Sequence, residues 1–392
     1  MKDTAEIIII GGGVIGASIA YHLARQGGSH VALIERRGIG TGTTGHSGAI
    51  VRQHYANDFT IRMARESLAV FEHFDERIGG NCGFVKTGML VTTDEQGASL
   101  LQANVELQQR QGVNTRLISP NEISSVAPGY SDEGIFLACY EADAGIADSM
   151  ATTQCFARRA REHGATIYEG MKVTRILTQH DRVTGVETKQ GNISAPIVVL
   201  AANVWSVALA QAIHIALPIT ATRHPMVALR RPQEVRQTDM HSVCIDMAHN
   251  IYLRPEVGGT TLVGSTANIL TASEPDHYAL ALSQEEIGYL SSMGAKEFPE
   301  LARAAIRGGW AGLYDDTPDY HPILGPLNAY KGLYCAAGFS GHGFKLSPTI
   351  GKWMAQLITT DQAPTDMQPF AFERFAQGKQ IQPRYASGGV MG

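Results

Sequence analysis

The pattern of apolar positions at the start of the chain predicts one βαβ unit in residues 6–36. A short apolar run, EIIII, precedes the glycine turn GGGVIG, and a second run, HVALIER, follows a polar gap. Between the two runs, Ile15, Ile19 and Leu23 recur at the spacing of one helix face, whereas short uninterrupted apolar runs are typical of buried strands. We therefore expect the order strand, glycine turn, helix, strand.

The rest of the chain alternates between two kinds of pattern. Residues 58–78 have helical spacing, residues 148–204 combine strands and a helix, residues 213–315 contain short strands with one helix near 283–294, and residues 320–360 return to strand, glycine turn and helix. This alternation predicts an α/β fold, in which a Rossmann-like nucleotide-binding domain is assembled from discontinuous segments and an α+β domain with a large mixed or antiparallel sheet is inserted in two parts. The predicted bounds are 1–82, 148–212 and 316–375 for the first domain, 83–147 and 213–315 for the second, and 376–392 for a C-terminal tail.

Length and composition fit this organisation and exclude other classes of protein. A chain of 392 residues with 44% hydrophobic and 18% charged residues suits a globular protein of two domains. The net charge of −5 provides no broad basic face, so we expect no nucleic acid partner. No run of about 18 apolar residues is present, so we expect no membrane span. The first apolar run is too short for a signal peptide, and we expect a cytoplasmic protein.

The cysteines do not indicate a disulfide framework or a metal site. Their number is five, they are widely scattered, and no two form a C-x-x-C pair. Such an odd and scattered set argues against both paired disulfides and zinc, so we expect no metal.

The first glycine turn carries a dinucleotide-binding fingerprint, Gly11-x-Gly13-x-x-Gly16, directly after a strand. The first glycine makes the tight turn, the second lets the backbone approach a pyrophosphate, and the third lets helix and strand pack closely. Glu35 ends the second predicted strand, where a carboxylate can accept hydrogen bonds from a ribose 2′-hydroxyl. A glycine turn without a ligand is the alternative, and the fingerprint alone serves both NAD and FAD.

A second glycine-rich turn, GFSGHGFKLSPTIG, favours FAD over NAD. It lies between a strand-like segment, GLYCAA, and a helix-like segment near the C-terminus. A flavin needs backbone contacts along its whole length, including hydrogen-bond donors where reduction places negative charge on the ring. A turn followed by a helix N-terminus can supply such donors.

Six segments carry a resemblance to a known family: IIIIGGGVIGASIAYHLARQG, VALIERRGIGTGTTGHSGAIVRQHY, VVLAANVWS, IYLRPEVGGTTLVGST, GWAGLYDDTPDYHPILGP and AAGFSGHGFKLSPTIG. Over nearly its whole length the chain resembles the D-amino-acid oxidase superfamily of flavoproteins. The branch is that of sarcosine oxidases, glycine oxidase and the β subunits of heteromeric sarcosine oxidase and L-proline dehydrogenase. The resemblance implies that the discontinuous domain binds FAD and that the inserted domain binds the substrate.

The resemblance also implies that FAD is bound noncovalently. Monomeric sarcosine oxidases have a flavin-linking cysteine where this chain has Gly312. A second flavin, FMN, is expected only if the chain is part of a heteromeric complex.

For the substrate, the resemblance implies five residues. Arg52 and Lys345 match two cations that bind a carboxylate, and Tyr314 matches an active-site tyrosine. Tyr252 and Arg254 lie in a predicted hairpin, turning at GG, that lines the substrate face of the flavin in the family. An arginine can bind a carboxylate with two parallel hydrogen bonds, and a lysine adds a compact charge. The alternatives are a loop arginine paired with a surface acid and a solvated lysine in the first turn of a helix.

The fingerprint, the second turn and the resemblance together assign the cofactor contacts. The assigned residues lie in the two glycine turns, in the Thr-rich loop between them and at two strand ends: Gly11, Gly13, Val14, Ile15, Gly16, Glu35, Arg36, Thr43, Thr44, Ser47, Gly48, Val173, Ala202, Trp205, Gly312, Gly338, Gly341, His342, Gly343, Phe344 and Lys345.

The implied function is FAD-dependent oxidation of the C–N bond of a small amino acid, with sarcosine, proline or another N-alkyl amino acid favoured. Hydride transfer to flavin N5 would give an imine that water hydrolyses. The alternatives are a glycine or D-amino-acid oxidase or dehydrogenase, a non-catalytic flavoprotein subunit of a complex, and an NAD-dependent dehydrogenase. The electron acceptor would be O2 or a partner redox subunit. Tyr252 stands where the oxidases have an oxygen-assisting lysine, which favours a dehydrogenase.

Overall fold

The structure is a computed structural model that describes residues 4–27, 29–234, 240–265, 270–271 and 274–382. Its strands are β1 (Ile7–Ile10), β2 (Val31–Ile34), β3 (Ile50–Val51), β4 (Met89–Thr93), β5 (Thr115–Ile118), β6 (Leu137–Glu141), β7 (Gly145–Ile146), β8 (Thr166–Tyr168), β9 (Val173–Gln179), β10 (Arg182–Thr188), β11 (Gly191–Ser194), β12 (Ile197–Leu200), β13 (Thr220–Arg230), β14 (Val243–Asp246), β15 (Ile251–Glu256), β16 (Thr260–Ser265), β17 (Leu270–Thr271), β18 (Ala305–Asp316), β19 (Ile323–Pro326) and β20 (Leu333–Ala337). Its α-helices are α1 (Val14–Gln26), α2 (Asp58–Glu72), α3 (Phe74–Arg77), α4 (Ala98–Arg110), α5 (Ile123–Val126), α6 (Ser149–Glu162), α7 (Ser206–Gln211), α8 (Gln284–Glu297) and α9 (Gly343–Thr360).

A six-stranded sheet has the order β19-β20-β12-β1-β2-β8. Its strands are parallel except β19, which pairs antiparallel with β20. The sequences IIII, VALI and IVVL in β1, β2 and β12 are almost uniformly apolar because parallel strands are covered on both faces. The βαβ unit predicted for the start of the chain is confirmed as β1, α1 and β2.

Helices α1 and α9 bring two N-termini to the same edge of this sheet. Helix α1 follows β1 and helix α9 follows β20, and the two helices pack against each other. Their approach is close, because the hydroxyl of Ser18 donates to the carbonyl of Ser347 at 2.8 Å and a Cβ on Gly351 would lie 2.1 Å from the Ser18 oxygen. Ligands of open α/β sheets bind at this edge, beyond the carboxyl ends of the strands.

A nine-stranded sheet forms the other large layer. Its order is β17-β13-β16-β15-β14-β4-β6-β5, with β18 paired to β13 as well. Its pairs are antiparallel apart from β4 with β14. Strands β15 and β16 form the predicted hairpin, and its turn contains Gly258 and Gly259, with φ of +82° and +76°.

The predicted fold class is confirmed: a Rossmann-like sheet built from separated segments is combined with a large mixed sheet. The predicted residue bounds of the two domains stay a prediction. The predicted tail, 376–392, is described only as far as residue 382, and its remainder lies outside the described residues. Among the described residues, none of the helices is long and apolar enough to cross a membrane.

Candidate active site

The first glycine turn is a backbone cradle in which side chains have no room. Gly11 has φ of +113°, and a Cβ there would lie 2.3 Å from the carbonyl oxygen of Ala201. A Cβ on Gly16 would lie 1.9 Å from the carbonyl oxygen of Gly11. Gly16 is thus required for the contact between α1 and β1, and it does not line either of the cavities described below.

The N-terminus of α1 is open towards a ligand. Its N-cap, Gly13, has no side chain to accept a hydrogen bond, and the first turn contains no acidic residue. The hydroxyl of Thr44 accepts from the amide of Val14 at 3.1 Å. No other side chain among the described residues caps an amide of this first turn, and with the helix dipole these amides favour an anion such as a phosphate.

Two cavities adjoin at this edge of the sheet, since Thr43 and Asn203 line both of them. An elongated ligand such as a dinucleotide needs a site of this kind. The first cavity is lined by fourteen of the predicted site residues: Val14, Ile15, Thr43, Thr44, Ser47, Gly48, Arg52, Tyr252, Gly312, Tyr314, Gly341, Gly343, Phe344 and Lys345. The second is lined by the predicted residues Gly11, Gly13, Glu35, Arg36, Thr43, Val173, Ala202 and Trp205.

Glu35 is held in place at the second cavity by the backbone around it. Its carboxylate accepts from the amide of Gly12 at 2.7 Å and from the amide of Arg37 at 2.8 Å. These bonds fix the carboxylate beside the glycine turn, and its contact with a ribose stays a prediction.

Asn203 is a residue that the sequence analysis missed. It begins the short 3₁₀ helix Asn203–Trp205 after β12, with φ of +52°. Its side-chain oxygen is buried, and it has no hydrogen-bond partner in the part of the chain that the structure describes. An unsatisfied buried acceptor is costly, so a ligand with a donor fits here. The signal in the sequence is the polar residue directly after the apolar strand in VVLAANVWS.

Arg52 lies just after β3, and only 3% of it is exposed. The guanidinium donates a hydrogen bond to the carbonyl of His54 and lies 4.4 Å from the centre of the Tyr55 ring. This burial excludes the alternative of an arginine at the protein surface. The structure places the side chain at the wall of the first cavity.

Lys345 lies in the first turn of α9 and is 7% exposed, so the alternative of a solvated lysine is wrong. Its ammonium donates to the carbonyl of Gly341 at 3.4 Å. Burial, and secondarily the charge of Arg52, hold the pKa of Lys345 well below its usual value. Two cations in one buried cavity form a place where an anion would be stabilised.

Tyr314 and Tyr252 form one side of the first cavity. The ring of Tyr314 stacks on the ring of His224, with centroids 3.8 Å apart and planes 19° apart. The hydroxyl of Tyr252 donates to the sulfur of Met226 at 3.4 Å. Burial raises the pKa of Tyr252 to about 12 and raises the pKa of Tyr314 well above its usual value. Both phenols therefore stay neutral near pH 7 and can act as donors, not as bases.

Three further predicted residues do not line either cavity: Arg254, Gly338 and His342. The guanidinium of Arg254 forms an ion pair with Glu256 and donates a hydrogen bond of 3.1 Å to the carbonyl of Ala147. The amide of Gly338 donates to Asp315 at 2.7 Å. His342 is fully buried and packs 5.4 Å from the ring of Tyr55, so its side chain supports the turn from behind.

Two titratable residues of the first cavity, Asp315 and His46, were not predicted. Asp315 lines it, and burial raises the pKa of this carboxyl to about 7. His46 also lines it, and its buried Nδ1 has no hydrogen-bond partner among the described residues. Asp315 is one of three acids in YDDTPD, and the sequence does not say which of them faces inwards.

Comparison with known proteins identifies the family. The model of the family named DAO, FAD dependent oxidoreductase, matches residues 6–357. The chain belongs to this family. It is 28% identical to human mitochondrial sarcosine dehydrogenase, over 98% of this chain and 43% of that protein. It is 28% identical to the sarcosine oxidase subunit beta of Arthrobacter sp, over 97% of this chain and 93% of that protein. The crystal structure of L-proline dehydrogenase from P. horikoshii superposes with a TM-score of 0.89, at 30% identity, over 96% of this chain and 99% of that one.

These findings confirm the predicted class, an FAD-dependent oxidoreductase, and confirm FAD as its cofactor. The chain spans less than half the length of the human relative. The residues present fit the cofactor: a cradle without Cβ atoms, a helix N-terminus that Thr44 caps only at Val14, and the unsatisfied oxygen of Asn203 lie along the two adjoining cavities. That each predicted residue contacts FAD stays a prediction.

Proposed function

We propose that the protein oxidises the C–N bond of a small amino acid, and that secondary amino acids such as sarcosine, proline or another N-alkyl amino acid are the favoured substrates. The observation that carries this proposal is the pair of buried cations, Arg52 and Lys345, in the first cavity. An amino acid supplies a carboxylate that two cations can bind together, whereas a simple amine supplies no anionic group. The resemblance to proteins named for sarcosine and L-proline supports the choice of substrate.

The two cations would bind the substrate carboxylate, Arg52 with its planar fork and Lys345 with a single charge. Binding at the carboxylate fixes the direction in which the α or N-methyl C–H points. Positioning of this kind supplies a large part of catalysis without a chemical step by the protein.

The same positive charge would lower the proton affinity of the substrate amine. The neutral amine is the form that can lose a hydride and become an iminium ion. Loss of a proton to water gives the imine, which water then hydrolyses. Tyr252 and Tyr314, as neutral donors, would orient the amine or the carboxylate. No base is needed among the side chains if the amine binds neutral.

FAD would lie along both cavities, its adenosine at Glu35 and the first glycine turn and its ring at the second turn, near Lys345. When bound, it supplies the hydride acceptor, at N5 of the ring. The backbone amides after Gly341 and the start of α9 would face the part of the ring where charge collects. We propose accordingly that the six-stranded sheet carries the FAD domain and the nine-stranded sheet the substrate domain, with the bounds predicted above.

The electron acceptor is proposed to be a partner redox subunit in preference to O2. Tyr252, an uncharged residue, lines the first cavity, and the family resemblance implies that oxidases have a lysine at this hairpin position. The chain also covers nearly the whole of a protein named as a subunit of sarcosine oxidase, which supports assembly with a partner. Purified protein, reacted with its substrate in air, is expected to reduce an added dye and to form little peroxide. Peroxide in stoichiometric amount would show an oxidase.

The substrate is tested by mixing the purified protein, without oxygen, with sarcosine, L-proline, glycine and D-alanine. We expect sarcosine or L-proline to remove the yellow colour of the oxidised flavin fastest. Fastest reaction with glycine or D-alanine would instead support the glycine or D-amino-acid alternative. A flavin that no amino acid reduces would support the non-catalytic subunit and overturn the proposal.

A further inference from the structure

A segment that is distant in sequence from β2 and β12 reaches the wall of the second cavity. We call residues 274–282 the strap. Its Asp276 accepts from the guanidinium of Arg36 at 2.6 Å and from the indole N–H of Trp205 at 2.7 Å. Asp276, Arg36 and Trp205 all line the cavity. Arg36 follows β2 and Trp205 follows β12, so one carboxylate ties together two loops at the ends of the six-stranded sheet.

The three side chains form a compact clamp. The guanidinium of Arg36 lies 4.1 Å from the centre of the Trp205 ring, where a cation is attracted to the face of the ring. Although partial burial opposes it, the bond from Arg36 keeps the pKa of Asp276 below its usual value, and Lys172 at the same cavity contributes. The Asp276 side chain is 43% exposed, so water weakens the ion pair and salt will weaken it further.

The other end of the strap is fixed to the nine-stranded sheet. The buried guanidinium of Arg223, in β13, donates to the carbonyl of Ala279 at 2.7 Å and to that of Ala281 at 3.1 Å. The amide of Ala311, in β18, donates to the carbonyl of Leu280 at 2.8 Å. The hydroxyl of Tyr278 donates to the carbonyl of Ala311 at 3.3 Å. The strap is thus anchored on one layer and reaches across to the other.

We propose that the strap retains FAD, with Asp276 as the residue that locks it. The inference rests on the proposed placement of the FAD adenosine in the second cavity, beside Glu35 and Gly13. Arg36 and Trp205 form part of that wall, and Asp276 fixes both side chains in position. Opening of this wall would break two hydrogen bonds to one carboxylate, and this cost would slow departure of the adenosine through it. Asp276 therefore lowers the rate of FAD release without contacting the substrate.

The proposal is tested by the rate at which FAD leaves the purified holoprotein after dilution, followed by the rise of free flavin fluorescence. We expect Asp276→Asn to release FAD roughly three- to tenfold faster, because it loses a half-exposed ion pair and weakens a second bond. Added salt should accelerate release from the parent more than from the variant. Trp205→Phe keeps a ring beneath Arg36 and removes the N–H donor, and it should accelerate release by a smaller factor.

Asp366→Asn is the matched control, because it breaks an exposed ion pair with Arg62 that lines neither cavity. It should leave the release rate unchanged. Glu35→Gln tests the placement of the adenosine independently. If Glu35→Gln accelerates release and Asp276→Asn does not, the strap has no role in retention and the proposal is overturned. If neither variant accelerates release, the adenosine does not lie in this cavity, and the proposed placement of FAD fails together with the strap.

Discussion

Arg52 and Lys345 line one cavity, although they come from opposite ends of the chain, and burial first and the charge of Arg52 second lower the pKa of Lys345. Both side chains are buried in the wall of the first cavity. Strand β3 places Arg52, and the first turn of α9 places Lys345. Two like charges at short range repel, and a bound carboxylate between them would turn this repulsion into attraction.

Arg52→Ala is expected to raise the KM for the amino acid and to slow flavin reduction. The loss of a hydrogen bond between a charged protein group and the substrate costs about 1.5–3 kcal/mol, which is roughly a 10- to 100-fold change in kcat/KM. Stopped-flow mixing without oxygen measures both effects, and the protein should stay yellow. Arg62→Ala, at the surface, is the control. An unchanged kcat/KM in Arg52→Ala would show that the carboxylate binds elsewhere.

Lys345→Met is expected to stabilise the substrate-free protein while it weakens substrate binding. The variant removes a buried charge next to Arg52, and replacing buried charges by apolar groups of similar volume is worth on the order of 1–4 kcal/mol. Because the pKa of Lys345 is lower in the folded protein than the usual 10.5, the folded state binds fewer protons than the unfolded chain between those two values. The unfolding free energy of the parent therefore rises with pH over this interval. The advantage of the variant should shrink towards pH 10.5, as chemical denaturation at several pH values would show.

Binding of a simple carboxylate such as propionate is expected to weaken as the pH rises through the lowered pKa of Lys345. The ligand stays ionised over this range, so the change reports the protein. The Asp315 carboxyl, whose pKa burial raises to about 7, also affects an anion in this cavity. The Asp315 carboxyl has this effect on anion binding both in the parent and in Lys345→Met. The difference between the two titrations of the flavin spectrum therefore isolates Lys345, and identical pH profiles would contradict its role.

Tyr314→Phe is expected to slow flavin reduction without changing its dependence on pH. Burial keeps the pKa of Tyr314 well above its usual value, so the phenol is a neutral donor throughout the range from pH 6 to pH 9 or so. The loss of one neutral hydrogen bond costs about 0.5–1.5 kcal/mol, or roughly two- to tenfold in rate. The reduction rates of parent and variant, measured across this range, should run parallel. If the variant alone lost an ionisation from its profile, Tyr314 would be an acid or base.

The sequence was sufficient for those parts of the site that depend on local pattern. The glycine turn before α1 and the turn before α9 follow directly from the order strand, glycines, helix, and they place Gly13 and Lys345 at the cavities. The resemblance predicted that the hairpin brings both Tyr252 and Arg254 to the substrate pocket. The sequence could not show that the guanidinium of Arg254 instead donates to Glu256 and to the carbonyl of Ala147.

The parts that the sequence could not predict depend on contacts between distant segments. The bond between Arg36 and Asp276 joins two loops whose positions are set by two different sheets. No recognised motif contains Asp276, and the sequence does not indicate which distant residues its carboxylate contacts. Asn203 was missed for a related reason. It is a candidate for binding a ligand because its side-chain oxygen is buried and unsatisfied, and only the packed structure reveals this.

Gly341→Ala is expected to damage both stability and flavin reduction, because the second turn is built around the absence of this side chain. Gly341 has φ of +82°, and a Cβ there would lie 2.5 Å from the ring of Tyr314. Gly258, in the β15–β16 turn, has the same φ of +82° but no atom within 4 Å of its Cβ position. Gly258→Ala should therefore cost only the backbone strain, about 1–2 kcal/mol, whereas Gly341→Ala adds about 1–3 kcal/mol of overpacking. Chemical denaturation gives the two costs, and stopped-flow reduction should be slowed only in Gly341→Ala, where Tyr314 must move. Equal losses of unfolding free energy and equal reduction rates in the two variants would mean that the ring of Tyr314 moves aside at no cost and that the turn does not position it.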